Sequence, residues 1–174
     1  PPLSVPSAAT VTLLADSHAA GVTALARDAE FRRLWGLPDS FSPEAAVSWV
    51  RHWVRRRRDA AGVAFAVIGP DHDVVGFFAL IQASRDWDSA LLKGYIAPAH
   101  RRRGYGSYAV RQATAAAFKK LAVREVVTFC SVEESSWARA LAKLDYVLVK
   151  TSMAQDWRDG RTVKTCYFRL ARGG

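Results

Sequence analysis

The segment from residue 90 to residue 132 constrains the fold more than any other part of the chain. A short apolar run at 90–97 predicts a strand, a glycine-containing turn follows it, and residues 104–121 carry apolar side chains at helical spacing. A second apolar run at 124–132 predicts another strand. Because a helix joins the two strands, they should lie parallel in one sheet, with a right-handed crossover.

Turns rather than helices connect the strands that precede this unit. Strands at 62–69 and 74–84 are separated by the turn "PDHD", so this part of the sheet should be antiparallel. The remaining predicted elements are a strand (10–14), helical segments (17–35 and 42–58), a short helix (135–146) and two last strands (146–153 and 162–172). Together they predict one mixed α/β domain over residues 10–172, after a disordered lead at 1–9.

Capping residues predict where the early helices begin and end. Ser17 is a candidate N-cap for the first helical segment, and Gly36 is expected to end it. The second helix should begin after Ser42, because Pro43 suits the first helical position and Glu44 suits the positive end of the helix dipole.

The composition excludes several classes of protein. No run of about eighteen apolar residues exists, so no membrane span is expected. Cys130 and Cys166 lie in apolar segments without metal-ligand spacing, which favours free thiols in a reducing cytoplasm over the alternative of a disulfide between neighbouring strands. The four histidines show no HxxxH or HxH grouping, so no metal site is expected.

The net charge of +9 implies attraction to polyanions without saying which one. Arg55–Arg58 close a predicted helix, where cations complement the negative end of the helix dipole, and this solvated helix end is the favoured interpretation. Nucleic-acid binding through these arginines and Arg101–Arg103 is the alternative. It is disfavoured because the chain has no helix-turn-helix, zinc-finger or RNA-recognition signature.

The turn "PAHRRRGYG" leaves a strand near Ala97 and opens a helix. A helix N-terminus has unpaired backbone N–H groups and a partial positive charge, so it can bind an anion. Glycines allow the backbone to approach that anion closely. The spacing is R-x-x-G-x-G, at Arg101, Gly104 and Gly106, which fits neither the P-loop nor the dinucleotide-binding pattern.

With this motif in context, the chain resembles the GNAT superfamily of acetyl-CoA-dependent N-acetyltransferases, whose signature is [Q/R]-x-x-G-x-[G/A]. The stretch "KGYIAPAHRRRGYGSYAV", with "ALAKLDY" about forty residues further on, is similar to the branch that acetylates ribosomal-protein N-termini. The resemblance covers roughly residues 10–172. It implies a mixed, mostly antiparallel central sheet flanked by helices, with one parallel β-α-β unit that binds acyl-CoA.

The resemblance also implies roles for particular residues. The backbone of Ile96 and Ala97 would pair with the pantetheine arm of acetyl-CoA. Trp137 is either a core residue or a wall against that arm. The thioester would enter between the parallel strands. Arginine side chains would add positive charge around the pyrophosphate of acetyl-CoA. The pyrophosphate itself would be cradled by the backbone N–H groups of Arg101, Arg102, Arg103, Gly104, Tyr105, Gly106 and Ser107.

The chain departs from the family pattern where that family places its catalytic groups. Glu134 stands where asparagine is usual, Trp137 where serine is usual, and Leu141 near the slot of a proton-donating tyrosine. Three interpretations follow. The enzyme acts mainly by positioning its reactants; Glu133, Glu134 or Tyr146 transfers the proton; or the protein is a non-catalytic acyl-CoA-binding module.

The acceptor implied by the resemblance is a primary amine, on a protein N-terminus or on a small molecule. Its pocket would be built from the first helices and the last hairpin. A cationic enzyme would disfavour a polyamine, unless the pocket is locally acidic. We expect a cytoplasmic monomer or homodimer without nucleic-acid or membrane partners. The candidate acceptor contacts are Glu30, Trp35, Asp86, Trp87, Asp156 and Trp157.

Overall fold

The computed structural model describes residues 9–59, 61–84, 86, 88–133, 135–156 and 160–173. Most of the predicted N-terminal lead, with Trp87, Glu134 and Trp157, lies outside these residues. The described elements are β1 (Thr10–Leu13), α1 (Ala19–Leu25), α2 (Ala29–Trp35), α3 (Pro43–Arg58), β2 (Gly62–Ile68), β3 (Val74–Gln82), β4 (Ser89–Ile96), α4 (Tyr105–Lys120), β5 (Glu125–Ser131), α5 (Ser135–Ala142), β6 (Val147–Gln155) and β7 (Thr162–Ala171).

The strands form a seven-stranded sheet in the order β1-β2-β3-β4-β5-β7-β6. Strands β4 and β5 pair in parallel, and the other neighbouring pairs are antiparallel. The predicted mixed sheet with one parallel strand–helix–strand unit is therefore confirmed. Among the residues described, no helix is both long and apolar enough to cross a membrane.

Alternation of strand side chains divides the core into two layers. Phe77 and Ala79 of β3 pack with α1, α2 and α3, whereas Phe78 and Leu80 face α4 and α5. The same alternation places Tyr95 of β4 on the α1–α3 face. Any opening between two strands therefore connects these two layers.

The helix ends follow local capping chemistry. Ser42 Oγ accepts from the Ala45 N–H at 3.2 Å, and Gly36 ends α2 at a φ of 64°, as predicted. The expected N-cap at Ser17 is wrong, because a 3-10 turn covers Asp16–His18 and α1 begins at Ala19. There the His18 ring accepts from the Ala15 N–H, so the chain turns before the α-helix starts.

Candidate active site

The parallel strands β4 and β5 separate soon after they meet. Their pairing covers only Ser89–Leu91 against Glu125–Val127, although β4 continues to Ile96 and β5 to Ser131. Beyond this pairing lies a cleft of about 650 Å³, with Lys93–Ile96 on one side and Thr128 and Phe129 on the other. Because lining residues come from both layers of the core, the cleft passes through the sheet.

Along β4, positions that hydrogen-bond to β3 alternate with positions that do not, and this alternation decides which backbone groups face the cleft. Ala97 N–H donates to the Val75 carbonyl at 2.9 Å, and Tyr95 lies opposite Phe77 in the same antiparallel ladder. Hydrogen-bonded positions alternate in such a ladder, so the N–H groups of Gly94 and Ile96 point away from β3, toward the cleft.

Ala97, expected to pair with a ligand, has both backbone groups engaged within the protein. Its N–H is bonded to Val75, and its carbonyl accepts from the His100 N–H at 2.8 Å. The Ile96 carbonyl accepts from Arg101 Nε at 2.9 Å. At this end of β4, the backbone groups that remain to face the cleft are therefore those of Gly94 and the N–H of Ile96.

The glycine turn ends in an open helix N-terminus. Gly104 is the N-cap of α4 at a φ of 85°, a left-handed conformation that favours glycine, and among the described residues no side chain caps the helix. The first helical bond in this turn runs from the Tyr108 N–H to the Gly104 carbonyl. A Cβ built on Gly106 would lie 3.8 Å from Ile96 Cγ1 and 4.0 Å from Trp137 Cζ3, where it would narrow the cradle.

These observations fit a pyrophosphate bound at the N-terminus of α4. The cleft at this end is also cationic, and sequence reasoning missed part of that charge. Of the arginines in the motif, Arg102 lines the cleft, but Arg103 does not, and Tyr105 is buried in the core. The cationic lining residues that were missed are Arg111, Arg139 and Lys143. Arg139 lies on α5 and Lys143 directly follows its last residue, Ala142. Their spacing of four positions, about one helical turn, is the signal that could have found them.

Aromatic side chains form the wall beside the open strand edge. Trp137 lines the cleft, and its ring centroid lies 6.2 Å from that of Phe78. Gly94 lies directly opposite Phe78 in the β3–β4 ladder. A Cβ at Gly94 would approach the Phe78 ring to 2.1 Å. Glycine at this position therefore lets the aromatic ring lie flush against the strand.

At its other end the cleft meets α2, where Glu30 and Leu34 line it. Arg101 Nη2 donates to Glu30 Oε2 at 2.7 Å. The Arg101 side chain, expected near the phosphates, is instead held between the Ile96 carbonyl and α2. The backbone turn of the motif remains beside the cleft.

Lys93 and Tyr95 make two further links from β4 to this part of the chain. Lys93 Nζ donates to the Leu34 carbonyl at 2.9 Å. The Tyr95 hydroxyl donates to Asp28 Oδ2. Burial is the largest cause of a raised Tyr95 pKa, and the hydrogen bond to Asp28 raises it further. The phenol is therefore held in its neutral, donating form.

The remaining predicted acceptor contacts lie away from the cleft or outside the described residues. Trp35 does not line the cleft. Its ring packs edge-on against that of Phe77 in the α1–α3 core, with the two ring centroids 4.7 Å apart. Neither Asp86 nor Asp156 lines the cleft. Glu30 is thus the predicted acceptor contact that the structure brings to the cleft, and Lys93 is a charged neighbour that sequence reasoning missed.

Of the two catalytic candidates, Tyr146 lies within the described residues and Glu134 does not. Tyr146 is buried, and its hydroxyl lies 2.7 Å from Thr114 Oγ1. Burial raises the pKa of Tyr146 to about 12, against an opposing effect of the Thr114 hydrogen bond. Tyr146 does not line the cleft, whereas Glu133, the neighbour of the undescribed Glu134, does.

Comparisons with known proteins define the class. Residues 10–147 match the model of the acetyltransferase (GNAT) domain, which is more than half of the chain. The chain therefore belongs to the GNAT acetyltransferase family. It is an acyl-CoA-dependent N-acetyltransferase that takes its acetyl group from acetyl-CoA, and nothing in the comparisons supports a non-catalytic binding module.

Solved structures share the fold at low sequence identity. Spermidine N-acetyltransferase from Vibrio cholerae, solved with CoA and spermine, is 17% identical, with 95% of this chain and 96% of that chain covered, at a TM-score of 0.78. Ribosomal-protein-S5-alanine acetyltransferase from Vibrio fischeri is 16% identical, with 94% and 92% covered, at a TM-score of 0.79. No curated protein sequence matches the chain.

Proposed function

We propose that the protein acetylates a primary amine that enters the cleft from the α2 side and meets the thioester between β4 and β5. One observation carries this proposal. A single cleft joins the open N-terminus of α4 on one face of the sheet to Glu30 and Lys93 on the other. Two reactants can therefore approach from opposite faces, and their positions need not overlap.

The cofactor end of the cleft fits acetyl-CoA. The N–H groups that open α4, at Tyr105, Gly106 and Ser107, would hold the pyrophosphate, and Gly106 leaves space for it. Arg102, on the signature turn, and the cations of α4 and α5 would compensate the phosphate charges. When bound, acetyl-CoA supplies an acetyl thioester.

The residues between the two ends would orient the reacting groups. The N–H groups of Gly94 and Ile96 face the cleft, where a preformed donor stabilises negative charge that develops on a carbonyl oxygen. Phe78 and Trp137 exclude water from the same place. Glu30 would attract the acceptor's ammonium group and receive its proton at Oε1, since Oε2 is held by Arg101.

The acceptor amine is proposed to lie on a small molecule or on a protein N-terminus. The names of the structural relatives include both kinds of acceptor, spermidine in one and an alanine of ribosomal protein S5 in another. Assembly as a monomer or homodimer stays a prediction, which light scattering after size exclusion would test. One Vibrio cholerae relative is described as dodecameric.

An acceptor screen tests this function. Purified protein is incubated with acetyl-CoA and a panel of amines, and free thiol release and acetylated products are measured by absorbance and mass spectrometry. We expect amine-dependent thiol release with a matching acetylated product. Tight coenzyme A binding without turnover on any amine or N-terminal peptide would contradict acetyl transfer.

A further inference from the structure

Lys93 is a half-buried cation at the acceptor end of the cleft. Its ammonium donates to the Leu34 carbonyl at 2.9 Å and lies 4.8 Å from the centroid of the Trp35 ring. A lysine ammonium has three N–H donors, and the Leu34 carbonyl occupies one of them. The ammonium can therefore donate to a ligand without losing its place in the protein.

The carboxylates of Glu30 and Asp28 have partners other than Lys93. Glu30 pairs with Arg101 at 2.7 Å. Asp28 accepts from the Tyr95 hydroxyl through one oxygen and from the Glu30 N–H through the other. Within the described part of the chain, no carboxylate forms an ion pair with Lys93. Burial, without a compensating acid, lowers the pKa of Lys93.

An anionic ligand restores the favourable interactions that such a desolvated cation lacks. Resting on the proposed acetyl transfer, we infer that the acceptor carries a carboxylate close to its amine, and that Lys93 binds this carboxylate. Glu30 and Leu34 are four positions apart on α2, about one helical turn, and both line the cleft. The site therefore presents an acid for the ammonium and, about one turn away, a cation for the carboxylate.

This arrangement selects amino acids and related amines with a nearby acid group. It disfavours a polyamine, because a second ammonium would meet Lys93 with the same charge. A carboxamide in place of the carboxylate would fit the same space but would lose the ionic hydrogen bond. Lys93 is thus assigned as a specificity-determining residue.

The test uses matched acceptors: several amino acids, the corresponding amino acid amides, and spermidine. Specificity constants are expressed per free amine, because converting the acid to the amide also changes the pKa of the amine. We expect the wild-type protein to prefer acids over their amides by about tenfold or more, as for a charge-assisted hydrogen bond. Spermidine should be the poorer substrate.

Lys93→Met should remove most of the preference for acids, and Lys93→Arg should retain it. Lys119→Met is the matched control, because it removes one cation from the exposed end of α4 and should leave the preference unchanged. Coenzyme A affinity of each variant reports whether the cleft remains folded. If Lys93→Met does not fold, the wild-type protein still provides the test. Its specificity constants for amino acids and for their amides then show whether the site prefers a carboxylate.

The outcomes separate the two claims. Turnover that is equal for acids and amides, or best with spermidine, overturns the role of Lys93 and leaves acetyl transfer standing. The same holds if Lys93→Met folds and keeps the full preference for acids. No thiol release with any amine, despite bound coenzyme A, overturns the proposed function and this inference with it.

Discussion

Arg101 and Glu30 are separated by 71 positions of sequence, yet Arg101 Nη2 lies 2.7 Å from Glu30 Oε2. The first residue of the glycine-turn motif is thereby joined to the helix that borders the acceptor end. The same guanidinium donates to the Ile96 carbonyl through Nε. One side chain thus links the cofactor turn, the end of β4 and α2.

Glu30→Gln should raise the KM for the acceptor by about tenfold, because the neutral amide attracts an ammonium less strongly. Coenzyme A affinity should change less than about twofold, since the backbone cradle is retained. The stability cost should stay below about 1 kcal/mol, as for partly exposed ion pairs. Steady-state kinetics, calorimetric titration and thermal unfolding measure these quantities.

Asp39→Asn is the matched control for that substitution, because it breaks another partly exposed ion pair of α2, between Arg32 and Asp39. It should leave both substrate constants unchanged. An equal loss of coenzyme A and acceptor binding in Glu30→Gln would contradict a specific role at the acceptor end.

Gly94→Ala should destabilise the protein by about 1–3 kcal/mol, the usual cost of overpacking a core. The added methyl group would overlap the ring of Phe78, which is fully buried and has little space to move. Urea unfolding measures the change. Gly173→Ala should have no effect, because no atom of the part of the chain that the structure describes lies within 4 Å of the new Cβ. A Gly94→Ala variant as stable as the wild type would refute the tight strand packing.

Arg139→Gln and Lys143→Gln should each raise the KM for acetyl-CoA by about three- to tenfold, because each removes a cation from the phosphate end of the cleft. The effect should shrink as salt is raised from 0.1 M to 1 M, where the Debye length falls from about 10 Å to 3 Å. Lys119→Gln serves as the exposed control. A KM for acetyl-CoA that is insensitive to both substitutions would place the phosphates elsewhere.

Tyr146→Phe should cost about 1 kcal/mol of stability, because it leaves the buried Thr114 hydroxyl without its partner. The kcat should stay within about twofold, since a tyrosine used as the proton donor would cost about 100-fold or more. Such a large fall in kcat, with the fold intact, would restore Tyr146 as the catalytic acid. Tyr167→Phe, on β7, is the control.

The pH dependence of stability also depends on Tyr146. Its pKa rises from 10.0 to about 12 on folding, so the unfolded chain ionises at lower pH than the folded protein does. The stability that Tyr146 contributes is fully present below about pH 10 and is lost as pH rises toward 12. Chemical unfolding of wild type and Tyr146→Phe at a series of alkaline pH values should show the wild type losing more.

The glycine motif could be assigned from the sequence because its geometry is local. Gly104 and Gly106 follow a strand end and open a helix, so their spacing predicts an anion site before any distant contact is known. The direction in which the Arg101 side chain points could not be predicted in this way. Its partner Glu30 reaches it only after α2 has packed against β4.

Strand registers explain the other differences between sequence and structure. The backbone of Ala97 was expected to hydrogen-bond to a ligand. Instead, the alternation of hydrogen-bonded positions in the β3–β4 ladder directs its N–H to the Val75 carbonyl. Lys93 points to the acceptor side because it alternates with Leu92 and Gly94. Tyr146 follows α5 closely in sequence, yet its hydroxyl is directed to Thr114 on α4.

Calorimetric titration of coenzyme A into wild type and Gly106→Leu tests the central claim most directly. A leucine at this position would project from the N-terminal turn of α4 into the cradle beside Ile96 and Trp137. The helix itself should not be weakened, because leucine favours helix more than glycine does. We predict that the Kd for coenzyme A rises at least about tenfold, with thermal stability preserved. An unchanged Kd in the folded variant would contradict phosphate binding at this helix N-terminus.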